Sequence, residues 1–402
     1  MFKNKKNLLI FGLGLYLLVT GLSFAVFSYL KQPIKKTVSP LVEEEEKESK
    51  EQKASTFSGP KNQECPINGV YYQRGQKEIW EKRRPLLVMI ENHEDSRPQS
   101  GLNRADVIYE AVAEGGIARL MGVFYCAAAV PAGKYDLGPV RSARTYFLDW
   151  ASEYSDYPLY NHVGGAGLCN DPTVNSKAKA LCQIENYGWK DKKHWNDLDQ
   201  FALSYKLCRR EPERTGKTVA TEHTMYCDSA ALWSEAEKRG LTAQTADGKS
   251  WDKNFQMWTF KDDGKSLGKV SDISFDFWQG YSAYSVKWVF DSAQNVYKRE
   301  NGGAAHKDFV SGEQLTAKTV IIQFSKETGP VDEHKHLLYQ TIGSGKALVF
   351  QDGGVVSGKW SKEARQSRTE FSDNSGKEIK LNRGVIWIEV LPAGAKVDYT
   401  EK

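Results

Sequence analysis

The sequence predicts an N-terminal transmembrane helix followed by two folded domains, the first α+β or α/β with a mixed sheet and the second mainly β. The chain has 402 residues, 40% of them hydrophobic and 12% aromatic, so its length suits two or three domains of ~150 residues. Strand-like and helix-like patterns alternate over residues 65–246, which is typical of a mixed α/β domain. Residues 247–402 contain short β-branched and aromatic segments separated by Gly, Asp and Asn, which predicts a mainly β domain.

Residues 8–30 carry no charge and are predicted to form a single membrane-spanning helix. At 1.5 Å per residue, a helix of this length crosses a hydrocarbon core of about 30 Å. The polar remainder of the chain has to lie on one side of the membrane. We therefore predict an uncleaved signal anchor, with residues 1–7 in the cytoplasm and the body outside it. A cleaved signal peptide with a weak site at residues 23–25 is the alternative.

Charge is distributed unevenly along the chain. Residues 1–36 hold six lysines and no acid, and residues 37–64 hold four lysines and seven glutamates, so the remaining body carries a net charge of only +1. Residues 31–64 are too polar to fold alone and are predicted to be a charged tether. The body lacks the basic excess that nucleic-acid binding needs, and we predict no nucleic-acid partner.

All six cysteines fall between residues 65 and 227. An even number of cysteines in one domain outside the cytoplasm predicts up to three disulfides, with fifteen possible connectivities left open. No CxxC pair is present, so we predict neither a metal site nor a cofactor.

The first domain begins with the apolar run 86–90, whose length suits a strand buried on both faces. Two further strand-like segments, 105–114 and 117–130, flank a Gly-Gly turn. Apolar residues at helical spacing follow from Ala143, and a short strand at 157–163 leads into a glycine-rich loop. Residues 175–240 are predicted to be largely helical.

Charged and polar side chains follow directly behind the strand at 86–90, beginning with Glu91 and His93. A buried strand that ends in such residues places them at the rim of a sheet, where α/β proteins bind ligands. Arg141 and Arg144 lie at the predicted start of the next helix. Two arginines at a helix N-terminus are electrostatically unfavourable unless an anion shares the site, either a ligand or one of the protein's own glutamates.

A family resemblance rests on six motifs: Met89-Ile90-Glu91-Asn92-His93, Arg97-Pro98-Gln99-Ser100-Gly101-Leu102, Ala105-Asp106-Val107-Ile108-Tyr109-Glu110, Glu114-Gly115-Gly116-Ile117, Gly138-Pro139-Val140-Arg141-Ser142-Ala143-Arg144 and His162-Val163-Gly164-Gly165. With these motifs the chain resembles the YerB-like lipoproteins over most of residues 80–400. The resemblance implies a bacterial envelope protein with an N-terminal and a C-terminal domain, neither with an assigned activity. The chain departs from the family pattern in its apolar N-terminal helix, which replaces a lipoprotein anchor, and in its six cysteines.

Three functions follow from these observations. The favoured one is a membrane-anchored envelope protein that binds an anionic or glycan wall component, with ligand-binding candidates Arg97, Glu110, Arg119, Arg141, Ser142, Arg144 and His162. The second is a wall hydrolase or transferase in which Glu91 or Glu114 is the general acid and His93 assists. The third is a protein-interaction scaffold that uses an exposed patch around Trp278, Trp288 or Trp360.

A purely structural interpretation is also open for the charged residues. Glu91 and Glu114 then pair with arginines in a buried ionic network that holds the loops in place. The other histidines are interpreted as surface or core residues and not as ligands; they are His194, His223, His306, His334 and His336.

Overall fold

The structure, a computed structural model, describes residues 57–130, 134–245, 247–265 and 267–401. The predicted cytoplasmic residues 1–7, the predicted membrane span at 8–30 and residues 31–56 of the predicted tether lie outside these ranges. Within the described ranges, no helix combines the length and the apolar character that crossing a membrane requires.

The described residues contain four α-helices and many short strands. The helices are α1 Arg74–Trp80, α2 Thr145–Ala151, α3 Ala180–Asn186 and α4 Ser229–Lys238. The strands up to residue 228 are β1 Lys61–Glu64, β2 Tyr71–Gln73, β3 Leu86–Glu91, β4 Val107–Glu114, β5 Ile117–Phe124, β6 Asp136–Leu137, β7 Leu159–His162, β8 Asp197–Asp199, β9 Cys208–Arg210 and β10 Met225–Asp228. The later strands are β11 Phe260–Lys261, β12 Val270–Phe275, β13 Val286–Asp291, β14 Val296–Asn301, β15 Ala304–Ala305, β16 Thr316–Ala317, β17 Thr319–Ser325, β18 Glu327–Thr328, β19 Leu338–Tyr339, β20 Gly343–Gln351, β21 Gly354–Lys362, β22 Glu370–Asp373, β23 Leu381–Asn382, β24 Ile386–Pro392 and β25 Asp398–Glu401.

A ten-stranded mixed sheet lies at the centre, in the order β22-β21-β20-β17-β24-β4-β5-β3-β7-β8. Strands β24 and β4 are parallel neighbours, with Ile386 opposite Val107 and Glu389 opposite Glu110. Since β4 precedes residue 246 and β24 follows it, both predicted domains contribute strands to one sheet. The predicted mixed sheet is confirmed, and the protein is mostly β with few helices.

Strands β3 and β17 of the main sheet consist largely of apolar residues. All six residues of β3 and all seven of β17 are buried, which is the pattern of strands covered on both faces. The strand predicted at 86–90 is therefore confirmed, and it extends by one residue to Glu91. The single polar residue at its end is the first residue of the rim described below.

A six-stranded sheet packs against the main sheet. Its order is β15-β14-β13-β12-β25, with β16 also paired to β14. The indole rings of Trp288 in β13 and Trp387 in β24 meet edge to face, with centroids 5.1 Å apart, and both side chains are fully buried. Aromatic pairs in this geometry contribute stability beyond the area that they bury.

The prediction that residues 175–240 are largely helical is wrong. Only α3 and α4 are α-helical there, and the strands β8, β9 and β10 lie between them. Strand β8 adds to the edge of the main sheet, whereas β9 and β10 form a small sheet with β6. Pairing with strands that are distant in sequence thus overrides the local helical preference in this region.

Three disulfides are present, and the prediction of up to three is confirmed. The pairs are Cys65–Cys126, Cys169–Cys182 and Cys208–Cys227. The last pair joins β9 to β10, where the two cysteines are also directly opposite in the strand register. This bridge fixes the segment just before β10, which contains His223.

Candidate functional site

Strand register brings three charged residues to one end of the main sheet. Glu91 is the last residue of β3, and it pairs with Arg119 of the antiparallel strand β5. Strands β4 and β5 are joined by a tight turn at Gly115 and Gly116, both of which have positive φ. Glycine adopts this conformation without steric cost, so the turn can return the chain at once and leave Glu114 beside β5.

Residues 138–144 lie along the same end of the sheet. The Arg141 amide donates a hydrogen bond of 2.9 Å to the carbonyl of Met89 in β3, and the Arg141 carbonyl accepts one of 3.1 Å from the Val163 amide. The segment therefore bridges the ends of β3 and β7. This placement brings the side chains of Arg141 and Arg144 within reach of the glutamates.

We refer to Glu91, Glu114, Arg119, Arg141 and Arg144 as the rim cluster. Glu114 accepts hydrogen bonds from Nη2 of Arg119 at 3.0 Å and from Nη2 and Nε of Arg144 at 2.7 and 2.9 Å. Glu91 accepts a hydrogen bond from Nε of Arg141. Both carboxylates are thus held by arginines, as the structural interpretation of the sequence expects.

These contacts keep both glutamates ionised. Burial would raise the pKa of Glu91, but the neighbouring His223 ring and the positive charges of Arg119 and Arg141 outweigh it and lower the pKa to about 2. Burial would likewise raise the pKa of Glu114, but the two arginines bonded to it lower the pKa well below its usual range. A general acid needs the opposite shift, because it has to hold its proton near neutral pH.

Acid is expected to destabilise the protein through Glu91. A carboxyl group whose pKa is lower in the folded state stabilises the fold above its unfolded pKa and loses that contribution as the pH falls toward the folded pKa. For Glu91 the contribution is about 3 kcal/mol at neutral pH, and it disappears between about pH 4 and pH 2. Thermal unfolding of Glu91→Gln and of the unchanged protein across this range measures the effect.

The difference in melting temperature between these two proteins should shrink as the pH falls. The exposed Glu94→Gln is the control and should follow the unchanged protein at every pH. A constant difference between Glu91→Gln and the unchanged protein down to pH 2 would contradict the assignment.

Two predicted ligand-binding residues, Glu110 and Arg97, lie outside the rim cluster, the first fully buried and the second half-buried. Glu110 is fully buried, and its Oε2 accepts a hydrogen bond of 2.6 Å from Nη2 of Arg299. Arg97 donates from Nη1 to the Ala283 carbonyl at 2.7 Å and from Nε to Oδ1 of Asn92 at 3.1 Å. Both side chains thus connect segments that are more than 180 residues apart.

We call Gln99, Glu110, Arg299, His306 and Glu389 the buried network. Burial and then the positive charge of Arg299 lower the pKa of His306 well below its usual value. The neutral ring accepts from Nη1 of Arg299 at 2.6 Å and donates to Oε1 of Gln99 at 2.7 Å. Burial, followed by the charge of Glu110, raises the pKa of Glu389 far above its usual range. The raised pKa favours the neutral form of Glu389 in this network.

His162 and His93 also differ in their surroundings. His162 is fully buried, with Nε2 2.6 Å from Oδ1 of Asp197 and Nδ1 2.6 Å from the Gly164 carbonyl. Burial would lower the pKa of His162, but the neighbouring Asp197 outweighs it and raises the pKa. His93 is partly exposed and stacks on His223, with ring centroids 4.5 Å apart.

An open cleft of about 400 Å³ lies next to the rim cluster. Three of the predicted site residues, Glu114, Ser142 and Arg144, line it. Its lining also includes Thr173 and the exposed His334, which come from the two halves of the chain. The carboxylate of Glu114 is one-quarter exposed, whereas that of Glu91 is almost completely buried. Of the two, only Glu114 can meet a ligand directly.

The protein is thus a two-domain, mostly β protein in which both parts of the chain contribute strands to one mixed sheet. Its family follows from sequence comparison. The chain matches the N-terminal domain of a family described as "Protein of unknown function (DUF3048)" over residues 73–242 and the C-terminal domain of the same family over residues 273–388. The protein therefore belongs to the DUF3048 family.

One relative and one solved structure extend this result. The chain is 25% identical over 343 residues to the "Putative lipoprotein YerB" of Bacillus subtilis, which covers 85% of this chain and 90% of the relative. It is also similar to the crystal structure of the YerB protein from Bacillus subtilis, with a TM-score of 0.63 and 21% identity over 83% of this chain and 99% of the other. The predicted family resemblance is confirmed.

Sequence analysis missed several residues of the cleft and of the buried network. Asp171, Thr173 and His334 line the cleft but belong to loops without a recognisable pattern. Arg299 lies in the regular strand β14, where it alternates with outward-facing residues and carries no local sign of pairing with Glu110. A charged residue on the buried face of a predicted strand was the one available signal.

Proposed function

We propose that this protein is an extracytoplasmic envelope protein, held at the cell membrane through residues 8–30, whose cleft binds a wall glycan. The uncharged run near the N-terminus supports the membrane attachment. The three disulfides suit an oxidising compartment outside the cytoplasm. The name of the Bacillus subtilis relative, a lipoprotein, is consistent with the same location.

The observation that carries the glycan proposal is the polar but charge-balanced character of the cleft. Glu114 and Arg144 lie in hydrogen bonds to each other, so neither contributes an uncompensated charge. Asp171 and Thr173 add a carboxylate and a hydroxyl to the lining of the cleft. Hydroxyl groups both donate and accept, so a ligand rich in hydroxyls can use all of these groups. The volume of about 400 Å³ is within the range of small-ligand sites.

An anionic wall polymer is the less favoured ligand, because the arginines predicted to bind it already have partners. Arg119 and Arg144 bond to Glu114, and Arg141 bonds to Glu91. Arg97 donates to the carbonyl of Ala283 and to Asn92. To bind an anion, these side chains would have to leave hydrogen bonds that are largely shielded from water.

The hydrolase or transferase alternative has less support, because the lowered pKa values of Glu91 and Glu114 do not suit a general acid. The scaffold alternative loses two of its three aromatic residues, since Trp288 and Trp360 are fully buried. Trp278 is partly exposed and lines a groove of about 830 Å³ along the six-stranded sheet.

Titration calorimetry of the full-length protein in detergent micelles tests the glycan proposal. The probes are tetra-N-acetylglucosamine as an uncharged glycan and poly(glycerol phosphate) as an anionic polymer. We expect binding of the glycan and much weaker binding of the polymer. Asp171→Asn removes the charge of one cleft acceptor and should weaken glycan binding about tenfold or more.

The chain offers a matched control for this variant. Asp171 accepts hydrogen bonds from the amide and hydroxyl of Thr173, and Asp373 accepts the same two bonds from Ser375 on another surface. Asp373→Asn should bind the glycan like the unchanged protein. Equal loss of binding in both variants, or no binding of the glycan by the unchanged protein, would refute the proposed function.

A further inference from the structure

Two histidines and an aspartate come together outside the cleft. His93, Asp95 and His223 each offer one ligand atom, and these atoms all lie within 4.8 Å of one another. In the described ranges one other group of this kind occurs, formed by Cys65, Asp106 and Cys126. Its two sulfurs are joined in a disulfide and are therefore not free to bind a metal.

Two short 3-10 turns, far apart in the sequence, position the three residues. His93 and Asp95 lie at the start of a short 3-10 turn, Glu94–Ser96, directly behind β3. His223 ends another such turn, Thr221–His223, directly before β10. The disulfide between β9 and β10 anchors the second turn. The site is thus assembled from segments about 130 residues apart in the sequence.

The ring of His223 is more than nine-tenths buried, yet its Nδ1 has no hydrogen-bond partner among the described residues. Oε2 of Glu91 lies 3.6 Å from this nitrogen. Metal-ligating histidines commonly direct one ring nitrogen to a carboxylate, which orients the ring and leaves the other nitrogen for the metal. Glu91 is placed to have this supporting role for His223.

The distances and mobility of the donors also suit a metal ion. Tetrahedral coordination at 2.0–2.2 Å places neighbouring ligand atoms about 3.4 Å apart. Nδ1 of His93 and Oδ2 of Asp95 are already 3.5 Å apart. The Asp95 side chain is half exposed and that of His93 one-quarter exposed, so both can move. The His93 ring now stacks on His223, and binding the ion requires it to turn out of this stack so that its ring plane meets the ion. A bound ion would replace the 3.2 Å hydrogen bond from the Asp95 amide to His93 Nδ1.

We propose that His93, Asp95 and His223 bind one divalent transition-metal ion, such as Zn²⁺. Two imidazoles and one carboxylate are donors that this class of ion prefers over Ca²⁺ or Mg²⁺, which select oxygen ligands. Arg141 balances the negative charge of the neighbouring Glu91. Asp95 is therefore the carboxylate whose negative charge attracts the ion. Three protein ligands leave a coordination position open for water or a ligand.

Calorimetric titration of ZnCl₂ into the full-length protein, after removal of metal with a chelator, tests this proposal. We expect binding of one ion per chain. Asp95→Asn and His93→Ala should each weaken the affinity at least tenfold, because even the loss of a supporting residue around a metal site costs 10–100-fold. Both positions are solvent-accessible, and unchanged melting temperatures will show that the fold is intact.

His194→Ala is the matched control, because this histidine stacks on Tyr157 and belongs neither to the cleft nor to the metal site. It should bind Zn²⁺ like the unchanged protein. Anomalous diffraction from crystals grown with Zn²⁺ should place the ion between the three side chains. The proposal is overturned if Asp95→Asn and His93→Ala retain full affinity or if the ion lies elsewhere. The proposed glycan site uses other residues, so an absence of glycan binding would not change the outcome of the Zn²⁺ titration.

Discussion

Arg299→Met is expected to lower the free energy of unfolding by about 4 kcal/mol, because breaking a buried ion pair leaves one charge without a partner. Arg299 and Glu110 are both fully buried and are joined by a hydrogen bond of 2.6 Å. Without the arginine, Glu110 keeps the amide of Asn92 at 2.9 Å and the indole of Trp387 at 3.2 Å. Neither donor carries a charge, so they compensate the carboxylate only in part.

Urea unfolding of the variant and of the unchanged protein measures this loss. Arg74→Met is the control, since Arg74 pairs with Glu78 on an exposed helix surface, where such pairs contribute little. The double variant with Glu110→Gln should recover part of the loss, because the unpaired charge is then gone. A shift of the urea midpoint no larger than that of Arg74→Met would show that Arg299 does not stabilise the fold.

Asp106→Asn is expected to lower the free energy of unfolding by about 3 kcal/mol, because it leaves buried N–H groups without an acceptor and each unsatisfied buried donor costs about 1–3 kcal/mol. The Asp106 carboxylate is fully buried and accepts four hydrogen bonds of 2.6–3.0 Å. Three of the donors are the successive backbone amides of residues 125–127, and the fourth is Nδ2 of Asn68. An asparagine amide would turn its own N–H groups toward at least one of these donors.

The control for Asp106 is Asp373→Asn on the surface. Asp373 also accepts backbone amide bonds, from Ser375 at 2.9 Å and Lys377 at 3.0 Å, but it is partly exposed to water. Water can replace the lost interactions at this position, so the melting temperature of Asp373→Asn should differ little from that of the unchanged protein. A similar melting temperature for Asp106→Asn and Asp373→Asn would contradict the role assigned to Asp106.

Much of the rim cluster could be predicted from local sequence patterns. The apolar run that becomes β3 and the Gly-Gly turn between β4 and β5 are visible in the sequence, and both place glutamates at strand ends. The prediction that arginines of the same region pair with these glutamates agrees with the contacts of Glu91 and Glu114. These features depend on residues within about 60 positions of each other, and strand and turn propensities act over such short spans.

The buried network could not be predicted in the same way. Glu110 and Arg97 carry the same local signature as the rim glutamates and arginines, yet Glu110 is fully buried and Arg97 bonds to the distant Ala283 carbonyl. The position of Glu110 follows from the parallel pairing of β24 with β4 and from the six-stranded sheet that covers this pair with Arg299. Those contacts join residues 189 and 279 positions apart, and no local pattern specifies which distant strand covers a given face.

By itself, the sequence determined the buried strand behind which the rim forms, the mainly β character of residues 247–402 and the capacity for three disulfides. Only the tertiary structure decided which cysteines pair, which charged residues reach solvent, and that His223 stands beside His93. The physical reason is that side-chain periodicity reports the local backbone, whereas the order of strands in a sheet is selected by the packing of the whole chain.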